Sequence, residues 1–274
     1  MPLNQLKHLK TNLENGGKVL RVKINRPEVR NSFNQELIED YQALFSAVTA
    51  AEHKDLTEIR AVVLQGEGAA FCGGGDLNWM KRSLTLSHQE NLDDCLRLTR
   101  MFHTMDQCPM PVIGLVHGFA IGGGVGLVSV CDHVIAADDT VFSLSEVKLG
   151  LIPACIGPFV IAKIGVSQAR SLFVSGERFR GAKAQAIGLV HEVCAASELE
   201  GRAQKVLGNI LEGGPHAIEA AKFLVHTLSR ELVGQEFQKS LDFAATELAQ
   251  LRVQPEAQEG VTAFLEKRAP SWRE

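Results

Sequence analysis

The chain has 274 residues, 45% of them apolar and 22% charged, with a formal net charge of −4, the profile of a folded globule with a sizeable core rather than of a disordered or collagen-like chain. Acidic and basic residues are mixed along its length, without the basic tracts that a nucleic-acid binder gathers on one face, so nucleic acid is excluded as the main partner. Six cysteines are widely spaced without a C-x-x-C pair, which speaks for reduced, buried thiols and against a metal site or a disulfide framework.

The opening MPLNQLKHLK has neither the apolar segment nor the small-residue cleavage site of a secretory leader, and the expected compartment is the cytoplasm. KVLRVKI (18–24) alternates apolar and polar residues, which predicts a half-buried strand, and NRPEVRNSFN (25–34) breaks it. Asn34 is placed to cap the helix predicted over ELIEDYQALFSAVTAAE. EIRAVVLQG reads as a second strand, buried on both faces, that empties into the glycine-rich GEGAAFCGGGDL. A polar stretch with helical spacing, KRSLTLSHQENLDDCLRLTRMFHTMD, leads to a third strand, PVIGLV, and then to GFAIGGGVGLVSVCD. HVIAADD and VFSLSEV are further strand candidates, and beyond Gly165 the spacing is largely helical, through SQARSLFVSG, GAKAQAIG, LEGRAQKVLGNIL, HAIEAAKFLVHTLS and QEFQKSLDFAATELAQL. The first two-thirds is therefore expected to be α/β and the last third α.

From Met110 to Cys131 there is no Asp, Glu, Lys or Arg, and Gly114, Gly118, Gly122 and Gly126 recur every four residues. Such a run imitates a membrane helix. Its flanks, Asp106 and Asp132, are acidic where a span wants basic anchors, and Pro109 and Pro111 bracket a β-branched run. A buried strand entering a glycine turn is the better reading, and no membrane partner is expected.

Strands that end in glycine loops gather those loops at one edge of a parallel sheet, where ligands bind. No G-x-G-x-x-G or G-x-x-x-x-G-K-[ST] is present, so a phosphate cradle of either kind is not supported. Bare backbone at a helix start instead offers unpaired N–H groups to an anion or a developing oxyanion. GGGD (73–76) and GGG (122–124) are placed to supply one N–H each to a single oxygen.

These two glycine turns, with NRPEVRNSFN, SLSEVKLGLIP (143–153) and the AFLEKRAPSW tail, resemble in order and separation the crotonase family, the enoyl-CoA hydratase/isomerase superfamily. The resemblance implies a spiral of ββα units over residues 1–200 that carries the thioester site. It also implies a helical region over 201–274 that joins subunits into a homotrimer or a dimer of trimers. No permanently bound cofactor is implied: coenzyme A enters as part of an acyl-CoA substrate. The thioester oxygen is expected between the amides of Gly75 and Gly123. Around the substrate the expected residues are Arg30, Ala70, Gly73, Asp76, Leu77, Trp79, Gly122, Gly126 and Lys267. Lys81, Arg82 and Lys148 are weaker candidates, and His117 is read as a hydrogen-bonded structural residue.

Hydratases of this family typically carry two glutamates. Here Glu146 matches the second, and Gly126 stands where the first is usual. A single carboxylate at this position is the arrangement of 3-enoyl to 2-enoyl isomerases, whereas GGGVGL with SEVKLGLIPACIGPFVIAKIG looks most like the bacterial methylglutaconyl-CoA hydratase branch of leucine breakdown. The expected function is hydration of a short or branched 2-enoyl-CoA, methylglutaconyl-CoA preferred. The alternatives are the isomerase and a non-catalytic CoA-binding scaffold.

Overall fold

The structure is a computed structural model that describes residues 6–50, 58–227, 229 and 237–270. Its main sheet has six strands: β1 (Leu9–Glu14), β2 (Val19–Ile24), β3 (Ala61–Gly66), β4 (Val112–Val116), then β6 (His133–Ala137) and β9 (Glu192–Cys194). All neighbours in it are parallel except β1, which pairs antiparallel with β2. A second sheet of three strands joins β5 (Phe119–Ile121), β7 (Val141–Ser143) and β8 (Arg178–Phe179).

Side chains alternate across a strand, and this sheet is covered on both faces. Val19, Ala61, Val63, Ile113, Leu115 and Ile135 pack against Ala203 and Leu207 of helix α7 (Leu199–Glu212). Leu20, Val22, Val62, Leu64, Val112, Val116, Val134 and Ala136 join the larger core on the other face. Packed in that core are α1 (Gln35–Ala50), α3 (His88–Asp106), α4 (Gly123–Val130) and α5 (Gly157–Ser175). The near-continuous apolar run of β3 follows from this double burial.

Three expected elements differ in extent. The polar stretch 81–106 splits into α2 (Leu77–Ser83) and α3, because Ser87 and Glu90 form a reciprocal capping box at the start of α3. Of VFSLSEV only Val141–Ser143 is strand; the chain then winds into a 3-10 helix, Ser145–Leu149. Helix α5 begins well before Gly165, with Pro158 in its first turn, and bends at Gly165, whose φ is +73. Strand β1 was not among the expected elements: LKTNLE is largely polar and is recruited by antiparallel pairing along the whole of β2.

The boundary expected at residue 200 falls inside α7, which lies on the sheet. The remaining helices are α6 (Gly181–Ala186), α8 (Pro215–His226), α9 (Phe237–Arg252) and α10 (Pro255–Leu265). Of these, α9 packs on α3, and α10 packs against α2 and the 3-10 helix. Residues 271–272, the end of the tail motif, lie outside the described residues. Among the described residues no helix is long and apolar enough to cross a membrane. The six cysteines are free and buried, and burial pushes the thiols of Cys72 and Cys131 up to about 12, which keeps them neutral.

Because β2, β3, β4 and β6 are parallel, the loops 25–34, 67–76 and 117–122 leave the sheet at one edge. Asn31 ties the first two of these together: its Nδ2 donates to the carbonyls of Glu67 (2.9 Å) and Ala70 (2.7 Å), and its Oδ1 accepts from the Arg26 amide at 2.9 Å.

Candidate active site

Gly75 is held by a parallel bridge to Phe33, in which the Phe33 amide donates to the Gly74 carbonyl at 2.7 Å and the Asp76 amide donates to the Phe33 carbonyl at 2.8 Å. In such a bridge the flanking groups face the partner strand, so the amide of Gly75 itself faces the opposite side. Gly123 opens α4, where the first N–H groups have no acceptor within the helix. Neither amide donates to another described residue. Both glycines line one cavity of about 990 Å³, together with Gly73, Gly74, Gly122 and Glu146.

Glu146 arrives there by strand pairing. Ile121 of β5 stands opposite Ser143 of β7, and the Gly122 amide donates to the Ser143 carbonyl at 2.9 Å. Gly122 and the 3-10 helix that carries Glu146 therefore leave neighbouring strand ends side by side. Gly150, in the left-handed region at φ +69, closes that helix, and the Leu151 amide donates to the Glu146 carbonyl at 3.1 Å. The carboxylate oxygen Oε2 is buried and accepts no hydrogen bond from the described residues. Burial pushes the Glu146 carboxyl up to about 7, against a smaller lowering by a backbone hydrogen bond. A carboxyl poised there changes protonation state readily near neutral pH.

Gly122, at φ +51, is the glycine whose freedom the site requires, since a side chain there is strained and would also meet Glu146. Gly126 behaves differently. It is buried in α4, where an added β-carbon would collide with Ile156 and approach Phe102 Cζ to 2.8 Å. Phe102 and Ile156 thus occupy the space that a side chain at position 126 would need. Gly126, expected at the substrate, is not in the cavity wall. Two more expected contacts are not in the cavity wall: Ala70 is buried with its carbonyl taken by Asn31, and Lys267 is exposed just beyond α10.

Arg30, Asp76, Leu77 and Trp79 do line the cavity. Arg30 sits in the left-handed region at φ +54, with its guanidinium 5.5 Å from the centroid of the Phe119 ring. Asp76 is buried, pairs with Arg26 at 2.8 Å and caps α2 by accepting from the Asn78 amide at 2.8 Å, so its first duty is structural. Lys148 also lines the cavity, whereas Lys81 and Arg82 do not. His117 is structural, with Nε2 2.9 Å from the Gly68 carbonyl. Sequence reasoning missed Arg178, Cys155 and Arg252, which also line the cavity. No motif marks them: Arg252 is known only by its place one helical turn beyond Leu248.

The profile of the family described as enoyl-CoA hydratase/isomerase matches residues 14–274. The chain belongs to this family. It is 32% identical to an enoyl-CoA hydratase from Shewanella pealeana whose solved structure superposes with a TM-score of 0.78, covering 98% of this chain and 97% of that one. A short-chain-enoyl-CoA hydratase of Clostridium acetobutylicum is 28% identical over 262 residues, 93% of this chain and 94% of its own. A trans-2-decenoyl-[acyl-carrier-protein] isomerase of Streptococcus mutans is 29% identical over 274 residues, 97% of this chain and 98% of its own. The α/β architecture is thus the crotonase fold, and the chain is an enzyme of the enoyl-CoA hydratase/isomerase family.

Proposed function

We propose that this enzyme hydrates a short or branched 2-enoyl-CoA, with methylglutaconyl-CoA preferred, using Glu146 as its one acid-base group. The observation that carries the reading is the buried carboxylate of Glu146, whose Oε2 has no partner among the described residues, in the same cavity as the two undonated amides of Gly75 and Gly123. The thioester oxygen sits between those amides. They stabilise the enolate as negative charge develops, and each such donor is worth about 3 kcal/mol in the transition state. The positive end of α4 adds to this.

With Gly126 closed off, Glu146 acts twice. Its carboxylate accepts a proton from water as the water oxygen bonds to Cβ, and the electron pair of the double bond moves to the enolate. The carboxyl then returns its proton to Cα as the enolate collapses to the saturated thioester. Water has been added across the double bond, and Glu146 ends as it began. Arg30, Lys148 and Arg178 in the cavity wall suit the phosphates of coenzyme A.

The single carboxylate also favours a second reading, 3-enoyl to 2-enoyl isomerisation, in which Glu146 takes a proton from C2 and delivers it to C4. A substrate panel separates them: hydration of methylglutaconyl-CoA and crotonyl-CoA against conversion of 3-hexenoyl-CoA. Turnover of 3-hexenoyl-CoA alone overturns the hydratase reading. For the assembly, exposed Phe223, Leu224 and Val225 on α8 support the homotrimer or dimer of trimers, which light scattering on the purified enzyme tests.

A further inference from the structure

Helix α9 brings Leu248 and Arg252, one turn apart, to the wall of the cavity, and α3 brings Asp94 and Leu98, likewise one turn apart, against it. Asp94 is buried and gives Oδ1 to Arg97 at 2.7 Å. Its Oδ2 stands 3.8 Å from Arg252 Nη1, too far for a hydrogen bond. Two arginines, one of them partly exposed, therefore share one carboxylate. Among the described residues, Nη1 of Arg252 is buried without a hydrogen-bond acceptor. So is Nε1 of Trp79, over whose ring the Arg252 guanidinium lies at 5.5 Å. Both residues line the cavity that holds Glu146, and the neighbouring wall is apolar: Leu98, Cys155 and Ile156. A buried guanidinium N–H and a buried indole N–H, neither with a hydrogen-bond acceptor among the described residues, are costly unless something supplies one.

We infer that this corner receives a carboxylate at the far end of the acyl chain, so that Arg252 and Trp79 select dicarboxylic over monocarboxylic enoyl-CoA substrates. The inference rests on the acyl-CoA reading of the cavity and deepens it. A carboxylate supplies acceptors for Nη1 and Nε1 together, and its charge suits the guanidinium. A plain alkyl end leaves both donors unpaired.

The test uses two unreactive ligands with acyl chains of similar length, glutaryl-CoA and butyryl-CoA, titrated into the intact enzyme by calorimetry. A charge-assisted hydrogen bond in a buried site corresponds to about 10- to 100-fold in affinity. Glutaryl-CoA is expected to bind tighter by that factor, and in Arg252→Met the glutaryl-to-butyryl preference falls to about one, with Arg252→Lys between the two. Equal binding of the two ligands by the unmodified enzyme overturns the inference, as does a preference that survives Arg252→Met. Neither ligand turns over, so the result is independent of whether Glu146 hydrates or isomerises. A glutaryl preference without hydration of any enoyl-CoA leaves this assignment standing and removes the hydratase.

Discussion

The Glu146 carboxylate lies against the backbone of Gly122: a β-carbon built on Gly122 would stand 2.9 Å from Oε1. The base is thus seated on a bare peptide unit adjoining the helix start that presents the Gly123 amide. Gly122→Ala both strains φ at +51 and pushes the carboxylate aside. Displacement of a reacting group by about 1 Å costs roughly 100-fold in rate, and a loss of that order in kcat is expected. Steady-state kinetics with normal activity would show that Glu146 works from another position.

Glu146→Gln keeps the shape of the side chain and removes its proton transfer. Turnover is expected to fall by at least about 100-fold, while the Kd for a saturated acyl-CoA is retained. A scaffold that merely holds coenzyme A would be indifferent to the change.

Since burial holds the Glu146 carboxyl up near 7, kcat/KM for hydration should rise with pH and level off above about 7, once the free enzyme carries the carboxylate. Stability moves the other way. Between the ordinary carboxyl range and about 7 the folded enzyme binds a proton that the unfolded chain has released, so unfolding becomes easier as pH rises through that window. Glu146→Gln is therefore expected to raise Tm at about pH 8, with the gain vanishing at about pH 4. Thermal melts at the two pH values check this, and a gain equal at both would remove the link to ionisation.

Gly126 is proposed to be a packing residue. Gly126→Ala should lower stability by about 1–3 kcal/mol through overpacking against Phe102 and Ile156, and Gly126→Glu should fail to add a working second acid. A soluble Gly126→Glu enzyme with faster hydration would contradict the closed packing.

Asp76, expected at the substrate, lines the cavity and also balances the buried Arg26, whose other nitrogen donates to the Ser32 carbonyl. Asp76→Ala leaves that cation unpaired and uncaps α2, an expected loss of about 3–5 kcal/mol in urea denaturation. A stable variant with weakened acyl-CoA binding would return Asp76 to the ligand.

Much of the fold was legible because it follows from local rules. KVLRVKI, AVVLQG and PVIGLV read as strands from their composition, and all three are strands of the main sheet. Asn34 read as a cap, and its Oδ1 accepts from the Leu37 amide at 2.9 Å. LKTNLE and the early start of α5 were not legible, because pairing with β2 and a bend at Gly165 decide them.

By itself the amino-acid sequence determined the alternation of strands and glycine turns, the two bare-amide segments and the single carboxylate at Glu146, all of them properties of short stretches. Only tertiary structure decided that Phe102 and Ile156 fill the space at Gly126, that Ala70 and Lys267 stay out of the cavity wall, and that Arg252 meets Trp79. Each of those depends on side chains dozens to more than a hundred residues apart in the chain. Periodicity and propensity act within a turn or a strand, whereas the packing of α9 on α3 and of β5 beside β7 is set by the burial of whole apolar faces.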